Sequence, residues 1–327
     1  MHGGRIVILH DPIPSNAAPD EQDGLRQVEV AGTALCTLGY TTQRAVFDEN
    51  LPAARARLAA LAPRLVFNLV ESRAGRGHLI HLAPAVLEDI GVPFTGTPQA
   101  GMFLSSHKLL AKHWLELHEC PTPPAVTDPA RAGDGPWIVK SVWEDASFGL
   151  DDDSVVDDPA GLVAQVAQRR AALGGHWFAE RYVAGREFNV SLLEQAKGCR
   201  VLPVAEIRFD DYPEHMPRIV GYRAKWAVDS FEHAHTERRF GTCTAAQREE
   251  MSRLALRCWD IFGMRGYARV DFRIDEHDRP WILEVNANPC LAEDAGFAAA
   301  LAEADISLTD AVGAIAAAAT SASRDSL

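Results

Sequence analysis

Two short stretches in the last quarter of the chain hold the residue types best suited to chemistry. Tyr267-Ala-Arg-Val-Asp-Phe-Arg-Ile274 and Trp281-Ile-Leu-Glu-Val-Asn-Ala-Asn-Pro289 both mix apolar with polar positions, and the charged run Asp275-Glu-His-Asp278 lies between them. Alternate residues of a strand share a face. Arg269, Asp271 and Arg273 therefore point one way, and Glu284 and Asn286 share a face. Pairing the two strands through a short turn brings Asp271, Glu284 and Asn286 together. Two carboxylates and an amide oxygen form a hard, all-oxygen set of the kind that holds magnesium beside nucleotide phosphates. The competing reading is a hairpin whose wet face simply carries charge. Against it, apolar Leu283 and Val285 flank Glu284, and an Asn-Pro break follows where a solvated edge would carry lysine.

A second piece is Trp137-Ile-Val-Lys140, a strand ending in lysine, followed by the Glu144 to Leu150 loop. Backbone amides of a small loop can meet phosphate oxygens, with lysine as a point charge beside them. Taken alone, such a loop is equally well an ordinary turn. A third piece runs from Trp177 to Val183 and on through Gly185-Arg186-Glu187. Two strands meeting at a glycine make a hinge, a seat for an adenine ring, with Glu187 in reach of ribose hydroxyls; alone, it also reads as a plain strand connection.

The elements that must position these residues follow from pattern. The first hundred residues alternate short apolar runs with helical periods: strand Arg5 to Leu9, helix Leu25 to Leu38, helix Ala53 to Leu61, strand Leu65 to Leu69, helix Leu79 to Ile90, then Val92 to Thr95. That is the rhythm of an open, mostly parallel α/β sheet. A helix from about Ser106 to Leu117 leads into a strand, loop, helix, strand unit ending near Val183. Beyond it come β-rich stretches at Phe188 to Leu193, Arg200 to Ile207 and Tyr222 to Val228, a helix from Ala245 to Phe262, and the hairpin. The expected fold class is α/β and α+β. Its parts are an N-terminal open parallel sheet domain at 1–98, a central lid subdomain at 99–184, a C-terminal catalytic subdomain at 185–318 and a flexible tail at 319–327.

The chain has 327 residues, 47% hydrophobic, enough for two or three compact units. Its formal charge of −13 argues against a nucleic-acid partner, since counterion release needs a basic surface. No apolar run approaches the roughly 20 residues of a membrane span, and the start is too short for a signal peptide, so a cytosolic address is expected. Six cysteines without paired spacing fit reduced thiols.

Taken in order, Lys108, Lys140, the Glu144 to Leu150 loop, Glu180 to Val183, Gly185-Arg186-Glu187, Lys225 and the Arg269/Asp271/Glu284/Asn286 set resemble the ATP-grasp superfamily, specifically its D-alanine:D-alanine ligase branch. The likeness covers about residues 66 to 290. It implies an ATP-grasp fold and an ATP-dependent carboxylate-amine ligase working through an acyl phosphate. Under it, Lys108 and Lys140 contact ATP phosphates while the Ser147, Phe148 and Gly149 loop folds over them. Glu180, Arg181, Tyr182 and Val183 hold adenine, Glu187 the ribose, and Lys225 the γ-phosphate region. Asp271, Glu284 and Asn286 ligate magnesium, with two ions expected and manganese able to substitute. Arg269 holds the oxyanion formed as amine attacks, and Lys225 and Ser147 complete the catalytic group.

The sequence departs from the family where an amino acid would sit. The family's serine-rich start with its substrate glutamate, its His-Gly element and its glycine and serine after the final Asn-x-x-Pro are replaced by His10-Asp-Pro-Ile-Pro-Ser-Asn16, Phe67-Asn-Leu-Val-Glu-Ser72 and Asn288-Pro-Cys-Leu-Ala-Glu-Asp294. Ala146 stands where the phosphate loop has serine. The expected substrates are thus a small-molecule carboxylate and an amine, amino acid or peptide other than D-alanine. A divergent D-alanine:D-alanine ligase and an ATP-dependent phosphotransferase are the alternatives. Asn68, Glu71, Glu293 and Asp294 can wall a site for an ammonium, and Arg73, Arg76 and Arg223 one for a carboxylate; all seven read equally as solvated charge or polar surface. His78 and His81 share a helix face, where packing or solvation competes with catalysis. The N-terminal unit could offer a homodimer face, and neither a nucleic-acid nor a membrane partner is expected.

Overall fold

The computed structural model describes residues 4–13, 19–72, 76–144 and 147–325. Its first sheet is built from β1 (Arg5–His10), β2 (Thr41–Val46) and β3 (Leu65–Asn68), in the order β2-β1-β3 and parallel throughout. A parallel strand buried on both faces must be apolar along its buried length, and between its polar ends Arg5 and His10 β1 is: Ile6 and Ile8 face one core, Val7 and Leu9 the other. Helices α1 (Pro19–Thr37), α2 (Leu51–Leu61) and α3 (Leu82–Asp89) supply the covering layers. β2 goes unmarked in the sequence pattern because it is an edge strand, half-exposed along most of its length. Val92 to Thr95, expected as a strand, contributes only a parallel bridge between Val66 and Phe94.

Two helices, α4 (Gln99–Ser106) and α5 (Lys108–Leu117), lead out of this unit. Then β4 (Ala125–Val126), β5 (Trp137–Ser141), β6 (Val155–Val156), α6 (Pro159–Leu173) and β7 (Trp177–Arg181) form an antiparallel sheet of order β4-β7-β5-β6. Alternation decides its two faces: Trp137, Val139, Trp177 and Ala179 pack with Leu162 and Val166 of α6, while Ile138, Lys140 and Glu180 line the cleft.

The largest sheet has six strands: β8 (Arg186–Gln195), β9 (Gly198–Val201), β10 (Ala205–Phe209), β11 (Thr236–Phe240), β12 (Tyr267–Ile274) and β13 (Pro280–Asn286). The main path is β11-β10-β8-β12-β13, with β9 pairing β8. Between them lie α7 (Tyr222–Trp226), α8 (Phe231–Ala234) and α9 (Ala245–Ile261). Phe188, Val190 and Leu192, with Val270, Phe272 and Ile282, turn to one face and bury Met251, Leu254, Ala255 and Cys258 of α9. The other face is polar and becomes the floor of the cleft. Tyr222 to Val228 is helical at Tyr222–Trp226, not extended as expected; β11 takes the edge position beside β10 and leaves that segment no strand partner.

The chain closes with α10 (Gly296–Glu303) and α11 (Leu308–Asp325). Of the tail expected at 319–327, the helix reaches to Asp325 and Ala319 is buried, while residues 326 and 327 lie outside the described residues. Val312 and Ile315 of α11 pack with Val28 and Leu35 of α1, so the last helix completes the core over the first sheet.

The hinge between β7 and β8 depends on one glycine. Gly185 has φ of +137°, and a Cβ there would lie 2.0 Å from the carbonyl oxygen of Ile274. Gly185→Ala should therefore destabilise the protein by about 2 kcal/mol or more. Urea unfolding that gives equal stabilities would refute this account of the hinge.

Candidate active site

The three sheets enclose a cleft of about 1810 Å³. Its floor is set by strand register. Arg269 of β12 pairs with Asn286 of β13, and Asp271 pairs with Glu284, before a bulge shifts the ladder between Asp271 and Phe272. On the other side of β12, Asp271 pairs with Asn189 and Arg273 with Glu187. All seven of these residues line the cleft. The hairpin reading thus holds in register as well as in outline.

Hydrogen bonds fix these side chains. Asp271 Oδ1 accepts from Arg269 Nε at 2.7 Å and from Asn189 Nδ2 at 2.8 Å, and its Oδ2 accepts from Arg269 Nη2 at 2.8 Å. Oδ2 keeps a lone pair for another partner. Asn286 Oδ1 accepts from the Asn288 amide at 2.9 Å and likewise keeps one. Burial alone would raise the pKa of Glu284, but Lys108, Arg269, Lys140 and Lys225 outweigh it and hold the carboxyl below its usual range. An ionised carboxylate surrounded by cations suits a site meant for phosphates and a hard metal. Among the described residues no three His, Cys, Asp or Glu side chains form a metal-holding cluster, and the oxygen set here depends on an amide as its third member. That donor set fits magnesium when phosphates complete the coordination.

The cations come from three elements. Lys108 opens α5 and donates to the Glu144 carbonyl at 2.8 Å. Lys140 on β5 contacts Glu180 Oε1 at 2.5 Å. Lys225 on α7 is reached by cleft solvent yet crowded by protein; desolvation and then the charge of Arg269 lower its pKa, opposed by Glu284 and Asp271. In the loop, Ser147 sits at φ +64° and donates from its hydroxyl to Val220 O at 2.7 Å. That hydroxyl is committed to tying the loop to the segment before α7. Phe148 stacks on Trp177, with ring centroids 6.2 Å apart, and Gly149 lies over the same indole.

Two expected nucleotide contacts are engaged otherwise. The Glu180 carboxylate is locked between Lys112 and Lys140, each at 2.5 Å, while beside it the Arg181 and Tyr182 amides donate to Pro124 O and Pro136 O. Glu187 receives Arg273 Nη2 on Oε2 at 2.8 Å, which leaves Oε1 as the atom able to meet a ribose. Arg273, only 3% exposed, also donates to Val183 O at 2.9 Å and to Arg218 O, and its Cζ stands 5.0 Å from the Tyr182 ring centroid. Arg181 turns outward to Asp134 O. Sequence reasoning missed Lys112 and Asn189, and treated Arg273 only as a face partner of Asp271.

The far end of the cleft is acidic. Asp11 Oδ2 accepts from the amides of Glu71 and Ser72 at 2.8 and 3.1 Å, Gln27 donates to Glu71 Oε1 at 2.8 Å, and Cys290 Sγ lies 3.0 Å from Asp23 Oδ2. Burial pushes Asp11 up to about 6 and Glu71 up to about 7. Asp11 and Asp23 carry no sequence pattern that singles them out. Of the expected substrate residues, Glu71, Arg76, Arg223 and Asp294 line the cleft. Arg223 is paired with Glu232 and Asp294 with Arg26. Asn68 is buried under the cleft wall, its Oδ1 accepting from the Val70 amide, and Glu293 is exposed outside the cleft. Arg73 and Ala146 lie outside the described residues.

Residues 104–316 match the family described as D-ala D-ala ligase C-terminus. The chain is 29% identical over 307 residues to an uncharacterized protein of Sinorhizobium fredii, covering 90% of this chain and 87% of that one. It is 31% identical over 249 residues to a D-alanine-D-alanine ligase of Chromohalobacter salexigens, covering 72% and 71%. Among solved structures, D-alanine-D-alanine ligase from Bacillus anthracis complexed with ATP superposes with a TM-score of 0.75 at 15% identity, over 99% of this chain and 100% of the other. D-alanyl-alanine synthetase A from Vibrio cholerae gives 0.75 at 17% identity over 98% and 99%.

The acidic end has a consequence for stability. Glu71 keeps a proton in the folded state that it releases when unfolded, so its contribution to stability is greatest below the ordinary carboxylate range and falls as pH rises through 7. Glu71→Gln should flatten the stability profile between about pH 5 and 8 and be the more stable protein at the upper end, by on the order of 1 kcal/mol. Urea denaturation at stepped pH tests this, and parallel profiles for the two proteins would contradict it.

Proposed function

Since the chain belongs to the D-ala D-ala ligase C-terminus family, with the ATP-grasp fold of ATP-dependent ligases that form C–N bonds, we propose that it joins a carboxylate to an amino acid, small peptide or amine other than D-alanine. The observation that carries this reading is the β12–β13 register, which gathers Arg269, Asp271, Glu284 and Asn286 on the cleft floor beneath Lys108, Lys140 and Lys225.

In the proposed reaction Lys108, Lys140 and Lys225 hold the ATP phosphates, and adenine sits against the hinge at 181–183. Asp271, Glu284 and Asn286 hold magnesium, which supplies neutralisation of charge on the transferring phosphoryl group. The substrate carboxylate attacks the terminal phosphate and becomes an acyl phosphate, with ADP leaving. The amine then attacks the acyl carbon, and phosphate departs with its bonding pair. Arg269 bears the oxyanion of that step, because guanidinium stays charged at any working pH and Asp271 fixes its plane. The loop at 147–149 shields the acyl phosphate from water. The acidic lining at the opposite end, where Asp11, Asp23 and Glu71 face the cleft, supports an ammonium-bearing substrate, whose charge would draw the proton off Glu71.

A specific observation favours D-alanine as a second reading: the relative of 31% identity is a D-alanine-D-alanine ligase. Measuring ADP and phosphate release separates the two. Release is expected only when an acid and an amine are both supplied, with D-alanine alone inactive; vigorous turnover on D-alanine alone would overturn the proposed substrate class. Asp271→Asn and Glu284→Gln should each abolish turnover and leave the thermal midpoint unchanged within a few degrees. Either variant at full activity would sink the magnesium assignment. Arg269→Ala is expected to lower turnover more than ATP binding.

A further inference from the structure

Lys112 lies outside the cleft lining, 4% exposed, on the buried face of α5 with Ala111 and Leu115. Burying an ammonium is costly unless its donors are met. Here two are met by hydrogen bonds and the charge by an ion pair: Nζ donates to Thr122 Oγ1 at 2.8 Å and Pro123 O at 2.9 Å, and lies 2.5 Å from Glu180 Oε2. Thr122 in turn donates to Ile282 O on β13. Glu180, 1% exposed, gives its other oxygen to Lys140. One carboxylate is therefore shared by two lysines, of which Lys112 is sealed away and Lys140 faces the cleft toward Glu284.

We infer that Lys112 is a positioning residue for phosphate binding, holding Glu180 by one oxygen so that Lys140 stays aimed into the cleft with charge to spare. The inference rests on the nucleotide reading above. If Lys112 were neutral, the whole Glu180 charge would fall on Lys140 in a buried one-to-one pair. Such a pair is strong because little water screens it. A phosphate would then have to compete with Glu180 for Lys140. With Lys112 in place, the triad carries one net positive charge, and repulsion between the two lysines favours moving that charge toward the cleft.

The test compares ADP with adenosine, since adenosine carries no phosphate and does not need Lys140. Calorimetric titration of the full chain should show ADP binding weakened about tenfold in Lys112→Met, as expected for loss of one charge-assisted contact, with adenosine binding unchanged. KM for ATP should rise by a similar factor while kcat changes less. The double variant Lys112→Met/Glu180→Gln removes both buried charges, so it folds without an unpaired carboxylate. It should return the ratio of ADP to adenosine affinity to within about threefold of wild type. Equal loss for ADP and adenosine would make Lys112 merely structural, and unchanged ADP binding in Lys112→Met, or no recovery in the double variant, would equally overturn the inference. Wild-type protein that binds neither probe would overturn the nucleotide reading and this inference with it. Binding by wild type with no loss in the variant would overturn the inference alone.

Discussion

The pairing of β12 with β13 is the constraint on which the cleft depends. Because side chains alternate across a sheet, a shift of one residue would carry Asp271, Glu284 and Asn286 to the α9 side and put Val270 and Phe272 into the cleft. Burial forbids that: Val270, Phe272, Ile282 and Val285 are almost wholly enclosed, and moving them into water would cost far more than the polar residues could recover. The apolar core thus holds the chemistry in place. The bulge after Asp271 shifts the ladder by one residue just beyond the residues that need it, and pairing resumes at Phe272 and Ile282.

Charge is sorted along the cleft with similar economy. One end concentrates Lys108, Lys140, Lys225 and Arg269 around Glu284, whereas the far end gathers Asp11, Asp23 and Glu71 with Gln27 as a neutral donor. A protein of net charge −13 can therefore offer a locally positive site. Two acids at the hinge, Glu180 and Glu187, are each neutralised by a buried base, so that neither carboxylate repels a phosphate.

Much of this was legible from residue order, for identifiable reasons. β1 declares itself by an unbroken apolar run, and β12 and β13 by alternation around charge, because both patterns follow from burial on two faces or one. β2 was invisible because an exposed edge leaves no apolar signature. Tyr222–Trp226 misled because a five-residue helix is too short to show its period. Lys112 carries no local signal that sets it apart, and only the fold reveals Glu180 beneath it. Glu187 was expected to serve a ribose alone, and Arg273 claims half of it because the two are opposed across β8 and β12. Asp11 and Asp23 converge on Glu71 through topology, which local sequence does not encode.

The packing of α11 against α1 bears on how the protein assembles. Val28 and Leu35 are covered by Val312 and Ile315, residues far downstream in the chain. The first sheet can pair its strands as soon as β3 emerges, but the core on one of its faces is complete only once α11 has followed. Until then α1 covers Ile6, Ile8 and Phe67 without α11, and the apolar side of α1 that α11 will meet stays open. Closing so long a loop is slow, and the waiting face is where a chaperone would find purchase and where premature release would lead to aggregation.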